Sequence, residues 1–286
     1  NVLLEIIDGI LTTVDDSQPQ NLPPGSKLTN LSHCTILPPL IDSHAHLFMS
    51  GTTDKKTREE QLKDGYETLR PRIAQHLHYL FSHGIVAVRD GGDRGAYALR
   101  YRLEKNNHPG MTIKTAGRAW HREGRYGSLI GRSVKESASL ADAYEKDTDP
   151  VDHVKLVNSG LNSLHTFGHE TAPQFDTEEI AALVGHAEQH GRKVMVHANG
   201  RLPVQFAVEG GCQSIEHGFF MGQENLELMA EKGTIWVPTL FTMKAYAENI
   251  DHAQNADINV IKKTLDHQLK QLTAARSLGV TVALGT

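Results

Sequence analysis

The chain has 286 residues, 39% of them hydrophobic and 22% charged, with a formal net charge of −5. That balance fits one large α/β domain with a sizeable core, and it excludes both an electrostatic footprint for nucleic acid and an acidic tail. No apolar run reaches the ~18 residues that a membrane span needs, and two cysteines far apart, Cys34 and Cys212, exclude a disulfide framework and fit a reducing, cytoplasmic setting.

The sequence opens on Asn1 rather than Met, so an upstream piece, which could include a removed signal peptide, is expected. Residues 1–39 read as short extended pieces, Val2–Ile7 and Gly9–Val14, and a turn-rich stretch from Asp15 to Ser26. Such a segment buries no core alone and needs a partner, such as chain beyond the end of this sequence. From Ile36 short apolar runs alternate with helical stretches, the pattern of βα units on a parallel sheet. The first run, Ile36–His46, leads to helical sequence over Lys56–His83 that Gly84 stops. Ile85–Asp90 is the second strand, Arg94–Lys105 a helix, and Met111–Ala116, entered through Pro109-Gly110, the third strand. Gly117–Gly131, glycine-rich and without a helical period, is expected to be a long loop, with helix returning over Val134–Lys146. Asp152–Val157 is the fourth strand and 158–175 a loop. Asp176, with Glu179 three residues on, spells a capping box for a helix running to His190. Lys193–His197, Gln213–His217, Thr234–Thr239 and Val280–Leu284 complete the strands, separated by helices over Pro203–Glu209, Glu224–Lys232 and Asn255–Leu278. Eight strands with helices between them point to a TIM-type (β/α)8 barrel, and no internal repeat favours a solenoid.

The chemistry begins at His44-Ala45-His46. Side chains two apart on a strand share a face, so these two imidazoles can grip one metal ion from a strand's end. With 17 histidines in the chain, about one His-x-His is expected by chance, so the spacing alone is weak. His76-Leu77-His78 is the internal control: it lies in a helical pattern, where residues two apart face opposite ways and share no metal. What separates the first pair is the strand before it and the donors that end later strands. In barrels of this type the working residues sit at the C-terminal ends of the strands. His44 and His46 end strand one, Lys155 lies late in strand four, His197 ends strand five and His217 ends strand six. For Lys155 the bland reading is an inward lysine paired with Asp90 or Glu216; for His197 and His217 it is satisfied core histidines. His153, His165, His169, His186 and His190 are scattered and read as structural.

Four stretches, Pro39–His46, Val154–Gly160, Val196–Gly200 and Ser214–Gly218, together resemble the amidohydrolase superfamily of metal-dependent hydrolases, in its imidazolonepropionase-like and prolidase-like branch, which includes dipeptidases. The resemblance covers Ile36 to the end. It implies a barrel over 40–286 and a small β-sandwich built from 1–39 and a C-terminal segment missing from this chain. It also implies that His44 and His46 bind one divalent metal, His197 and His217 a second, and that Lys155 is carbamylated and bridges the two, zinc being the expected ion. A carbamate fits such a bridge because a lysine ammonium repels divalent cations, whereas a carbamate is an anion with two oxygens. The family's general-base aspartate would fall directly after Thr286, one residue beyond the sequence, so a truncated record is expected.

The activity implied is hydrolysis of an amide or peptide-type C–N bond of a small polar substrate by a metal-bound hydroxide. Cation-capable side chains around the mouth, His121 in the loop after strand three and Arg201 after strand five, suit a substrate carboxylate; Arg118, Arg122 and Arg125 share that loop. The rivals are a mononuclear deaminase of a ring substrate, which needs no bridging lysine, and an inactive barrel serving as a binding module, against which all five candidate ligands argue. The partner is a small molecule, not nucleic acid or membrane, and a homo-oligomer is left open.

Overall fold

A computed structural model describes residues 2–16, 22–52, 54–104, 110–249 and 256–286. The chain divides into two units, 1–39 and 40–286. In the first, β1 (Leu3–Ile7) and β2 (Ile10–Asp15) form an antiparallel hairpin turned at Asp8-Gly9. Ile6, Ile10 and Val14 on it are exposed, and a two-stranded hairpin buries too little apolar surface to be stable by itself.

In the second unit, parallel strands and helices alternate. β3 (Leu40–Ala45) starts later than expected, since Ile36 and Leu37 are exposed and outside any strand. The helical stretch before Gly84 is two helices, α1 (Lys55–Lys63), N-capped by Asp54, and α2 (Tyr66–Ser82), because Asp64 and Gly65 take extended backbone between them. β4 (Ile85–Asp90) pairs with β3, α3 (Tyr97–Leu103) follows, and β5 (Thr112–Thr115) pairs with β4. The expected helix end at Lys105, the turn at Pro109 and the helix start at Asn255 lie outside the described residues.

The expected long loop 117–131 is corrected. Gly117, at φ +64, bends the chain, which then continues as β6 (Ala119–Arg122), four buried residues paired with β7 (Gly131–Val134) and, through Trp120 and Leu156, with β8 (Val154–Val157). The third barrel strand is thus broken: β5 serves its second-strand neighbour and β6 its fourth. The expected loop holds over residues 123–130, which include Gly124 and Gly127, while Gly117 precedes β6 and Gly131 opens β7. Helix α4 is short, Leu140–Glu145, because Val134 belongs to β7 and Ser139 caps the helix.

Helix α5 (Thr177–Gln189) carries the full capping box between Asp176 and Glu179. Then come β9 (Val194–Ala198), α6 (Arg201–Glu209), β10 (Ser214–His217), α7 (Gln223–Lys232), β11 (Ile235–Val237), an unforeseen α8 (Phe241–Glu248) and α9 (Ile258–Leu278). The expected eighth strand keeps only one bridge, Trp236 with Val282. Its backbone nevertheless ties both neighbours: Ala283 N donates to Trp236 O, and Ser43 N donates to Leu284 O. With Asp152 N donating to Thr115 O across the bend in strand three, these bonds close the ring.

The sheet is held by two apolar clusters. Leu156, Val196 and Ile215 of the sheet meet Leu183, Val204 and Leu226 of the surrounding helices, and Ile73, Leu77 and Ala98 cover Val88 and Ile113. Because the barrel strands run parallel, their C-terminal ends share one mouth. No helix among the described residues is long and apolar enough to cross a membrane.

Candidate metal centre

Three strand ends bring four imidazoles together. The ring centroid of His44 lies 5.3 Å from that of His46 and 4.7 Å from that of His217, and His217 lies 4.6 Å from His197. Strand alternation explains His44 and His46 on β3 and its exit. It does not explain His217, because Glu216 beside it also faces inward, bonding His44 across the barrel. The structure resolves this: His217 has φ +70, a left-handed backbone that turns a second consecutive side chain to the centre. Thr239, at φ +47, holds His217 Nδ1 at 2.7 Å, so two non-glycine residues in a costly conformation stand at this site. Gly91 makes room for His46: a Cβ there would meet its ring at 2.9 Å.

The hydrogen bonds assign the lone pairs. His44 Nδ1 donates to Glu216 Oε2 at 2.6 Å and His46 Nδ1 to the Gly92 carbonyl at 2.8 Å, which leaves each Nε2 free as a donor atom for a metal. His197 Nε2 donates to the Gly160 carbonyl at 3.0 Å and so presents Nδ1. His44 Nε2 is buried with no hydrogen-bond partner. The rings are neutral: burial first, then the Lys155 charge, holds His44 well below the ordinary imidazole range and His46 at about 4. Burial, then His197, does the same to His217.

Lys155 is 1% exposed and its Nζ has no hydrogen-bond partner. Burial lowers it to about 8, against the pull of Glu216. The ion pair with Asp90 or Glu216 that the sequence left open does not form. Glu216 is occupied by His44, by Arg89 Nη2 at 2.8 Å and by the Ser214 hydroxyl at 2.6 Å; Asp90 accepts from Leu47 N, Gly92 N and the Thr115 hydroxyl. Among the described residues no three His, Cys, Asp or Glu side chains form a ready cage for one ion. The four rings stand in a row instead, His46, His44, His217 and His197, at 5.3, 4.7 and 4.6 Å, and the Lys155 charge acts on each. Neutral imidazoles, an orphaned Nε2 and an orphaned amine are a donor set that fits divalent metal.

His121, expected on a loop, lies on β6, 4% exposed, with Nδ1 2.9 Å from the Arg122 carbonyl. Arg201 opens α6 and is exposed. Neither bonds or stacks on the four histidines among the described residues. The other arginines of 117–131 are committed to the fold: Arg118 to Asp149, Arg122 to Glu179, Arg125 to the Ala172 carbonyl. His76 bonds the Leu47 carbonyl while His78 faces solvent, as helical spacing requires. Sequence reasoning missed Arg89 and Tyr126, whose ring lies 5.3 Å from His197, and saw Glu216 only as a partner for the lysine.

Burial depresses both His153 and His197 from 6.5 to about 3, with the Arg89 charge second for the former and the Lys155 charge second for the latter. In metal-free protein the unfolded chain therefore accepts protons that the folded chain refuses. Stability is complete above about pH 6.5 and drains as pH falls from there toward 3. We expect the denaturation midpoint to drop through that window, by up to about 1.4 kcal/mol per pH unit and group. A flat profile would show that the fold does not hold these rings neutral.

A family model described as Amidohydrolase family matches residues 35–286. Ochratoxinase from Aspergillus niger is 33% identical over 114 residues, 40% of this chain and 24% of that protein. Imidazolonepropionase from Porphyromonas gingivalis is 21% identical over 291 residues, covering 87% of this chain and 63% of that one. The chain thus spans less than two thirds of the length of these relatives. A solved Xaa-Pro dipeptidase with bound methionine in the active site is similar in fold, with TM-score 0.74 at 23% identity over 100% of this chain and 74% of the other.

Proposed function

We propose, from the premise that this chain belongs to the amidohydrolase family, that it hydrolyses a C–N bond of a small polar substrate at a centre of two divalent metal ions. His44 and His46 would hold one ion, His197 and His217 the other, and a carbamate on Lys155 would join them. Imidazole nitrogens with an anionic oxygen bridge suit zinc. The observation that carries this reading is the buried Lys155 amine, unpartnered among neutral imidazoles. A pKa of about 8 leaves roughly a tenth to a half of it neutral between pH 7 and 8. The neutral amine can attack CO2: the N–C bond forms, one C=O electron pair moves to oxygen, and the amine proton leaves to water.

When bound, the ions lower the pKa of a water and polarise a carbonyl oxygen. The chain's own part is orientation. Glu216 and the Gly92 carbonyl fix the tautomers of His44 and His46. Tyr126 covers His197. The general base expected after Thr286 would enter beside His44, because Thr286 N donates to the His44 carbonyl and the Thr286 hydroxyl to Asp42. Metal analysis of the full-length protein tests the reading: about two ions per chain are expected. About one would favour the mononuclear deaminase, and none, a binding module.

A further inference from the structure

Against His46 lies a cavity of about 410 Å³, a volume that takes small ligands. Ala45, His46 and Thr286 line it together with the apolar Met49 and Phe241 and with Arg58 of α1. Among the described residues the Arg58 guanidinium reaches a neutral partner, its Nη1 donating to the Tyr246 hydroxyl at 3.3 Å. Among the described residues no carboxylate pairs with it, whereas Arg118, Arg122 and Arg132 each have one. Asp42, the one carboxylate among the described residues lining the cavity, accepts from His44 N and from the Thr286 amide and hydroxyl and forms no ion pair with Arg58, so the guanidinium stands ready for a planar, bidentate anion.

We propose that Arg58 reads a substrate carboxylate in this cavity, so that the substrates are N-acyl amino acids or dipeptides with a free C-terminal carboxylate and an apolar side chain against Met49 and Phe241. This rests on the hydrolase reading above and names its specificity residue. His121 is the weaker reader, because it is buried and its Nδ1 is engaged by its own strand. Arg201 is exposed on α6 and does not line the cavity.

The test compares metal-loaded wild type, Arg58→Met and His121→Ala on N-acetyl-leucine and N-acetyl-leucinamide, reading kcat/KM for loss of the acetyl group and metal content for each protein. Arg58→Met should lose about 10- to 100-fold on the acid and at most about threefold on the amide, with metal content unchanged. Equal losses on both compounds, or a selective loss in His121→Ala instead, would overturn the proposal. Calorimetric binding of the same two compounds decides the case even without turnover. Acid-selective weakening in Arg58→Met supports the assignment and leaves only the hydrolase reading in error; equal binding of the acid by wild type and variant refutes the assignment.

Discussion

Lys155→Ala should lower turnover by more than about 100-fold and cost the protein one of the two metal equivalents proposed above, since even residues that only orient metal ligands cost about 10- to 100-fold when removed. Short carboxylic acids such as acetate should restore part of both, because a carboxylate can occupy the position of the proposed carbamate's oxygens. A shape-conserving companion, Lys155→Met, should lose the metal as well, yet leave the metal-free protein as stable as wild type or about 1–3 kcal/mol more stable. The reason is that Nζ is buried without a hydrogen-bond partner, so the methionine removes a desolvated polar group while keeping most of the apolar stem. Metal content, turnover and a denaturant midpoint measured on the same preparations check this. A variant that keeps both metals and full turnover would sink the carbamate.

Glu216→Ala should be the most damaging change to the fold itself. Its carboxylate is fully buried and accepts from His44 on β3, Arg89 on β4 and Ser214 on its own strand. Removing it leaves the Arg89 guanidinium, still bonded to the Ser43 carbonyl, without its ion-pair partner. Breaking one side of a buried pair costs about 3–5 kcal/mol. Glu216→Gln keeps the shape and one acceptor and should cost less in stability while still weakening metal binding by about 10- to 100-fold, because His44 loses the anion that orients it. Denaturation of the metal-free protein followed by a metal-competition titration separates the two effects. If Glu216→Ala unfolds within about 1 kcal/mol of wild type, the charged floor under the site is not what holds these strands in register.

The sequence by itself determined the barrel and which strand ends carry the donors. Each βα unit announces itself by local signals, an apolar run and then a capped or glycine-stopped helix, and parallel strands bring all such ends to one mouth. His44, His46, Lys155, His197 and His217 could therefore be assigned to a common region from position alone. Local pattern failed at the bent third strand, where glycines at 117, 124, 127 and 131 read as loop although Ala119–Arg122 is buried sheet. The same error placed His121 on a loop. Only the tertiary structure decided that Lys155 has no acid partner among the described residues, that Arg58 lines the cavity beside His46, and that Glu216 and His217, neighbours on a strand that should face opposite ways, both turn inward. The last depends on a left-handed φ at one residue and on a carboxylate meeting a histidine 172 positions away. Periodicity records how a residue relates to its chain neighbours, while the direction of a side chain at a strand end and the charge it meets are set by packing across the barrel, which no local window contains.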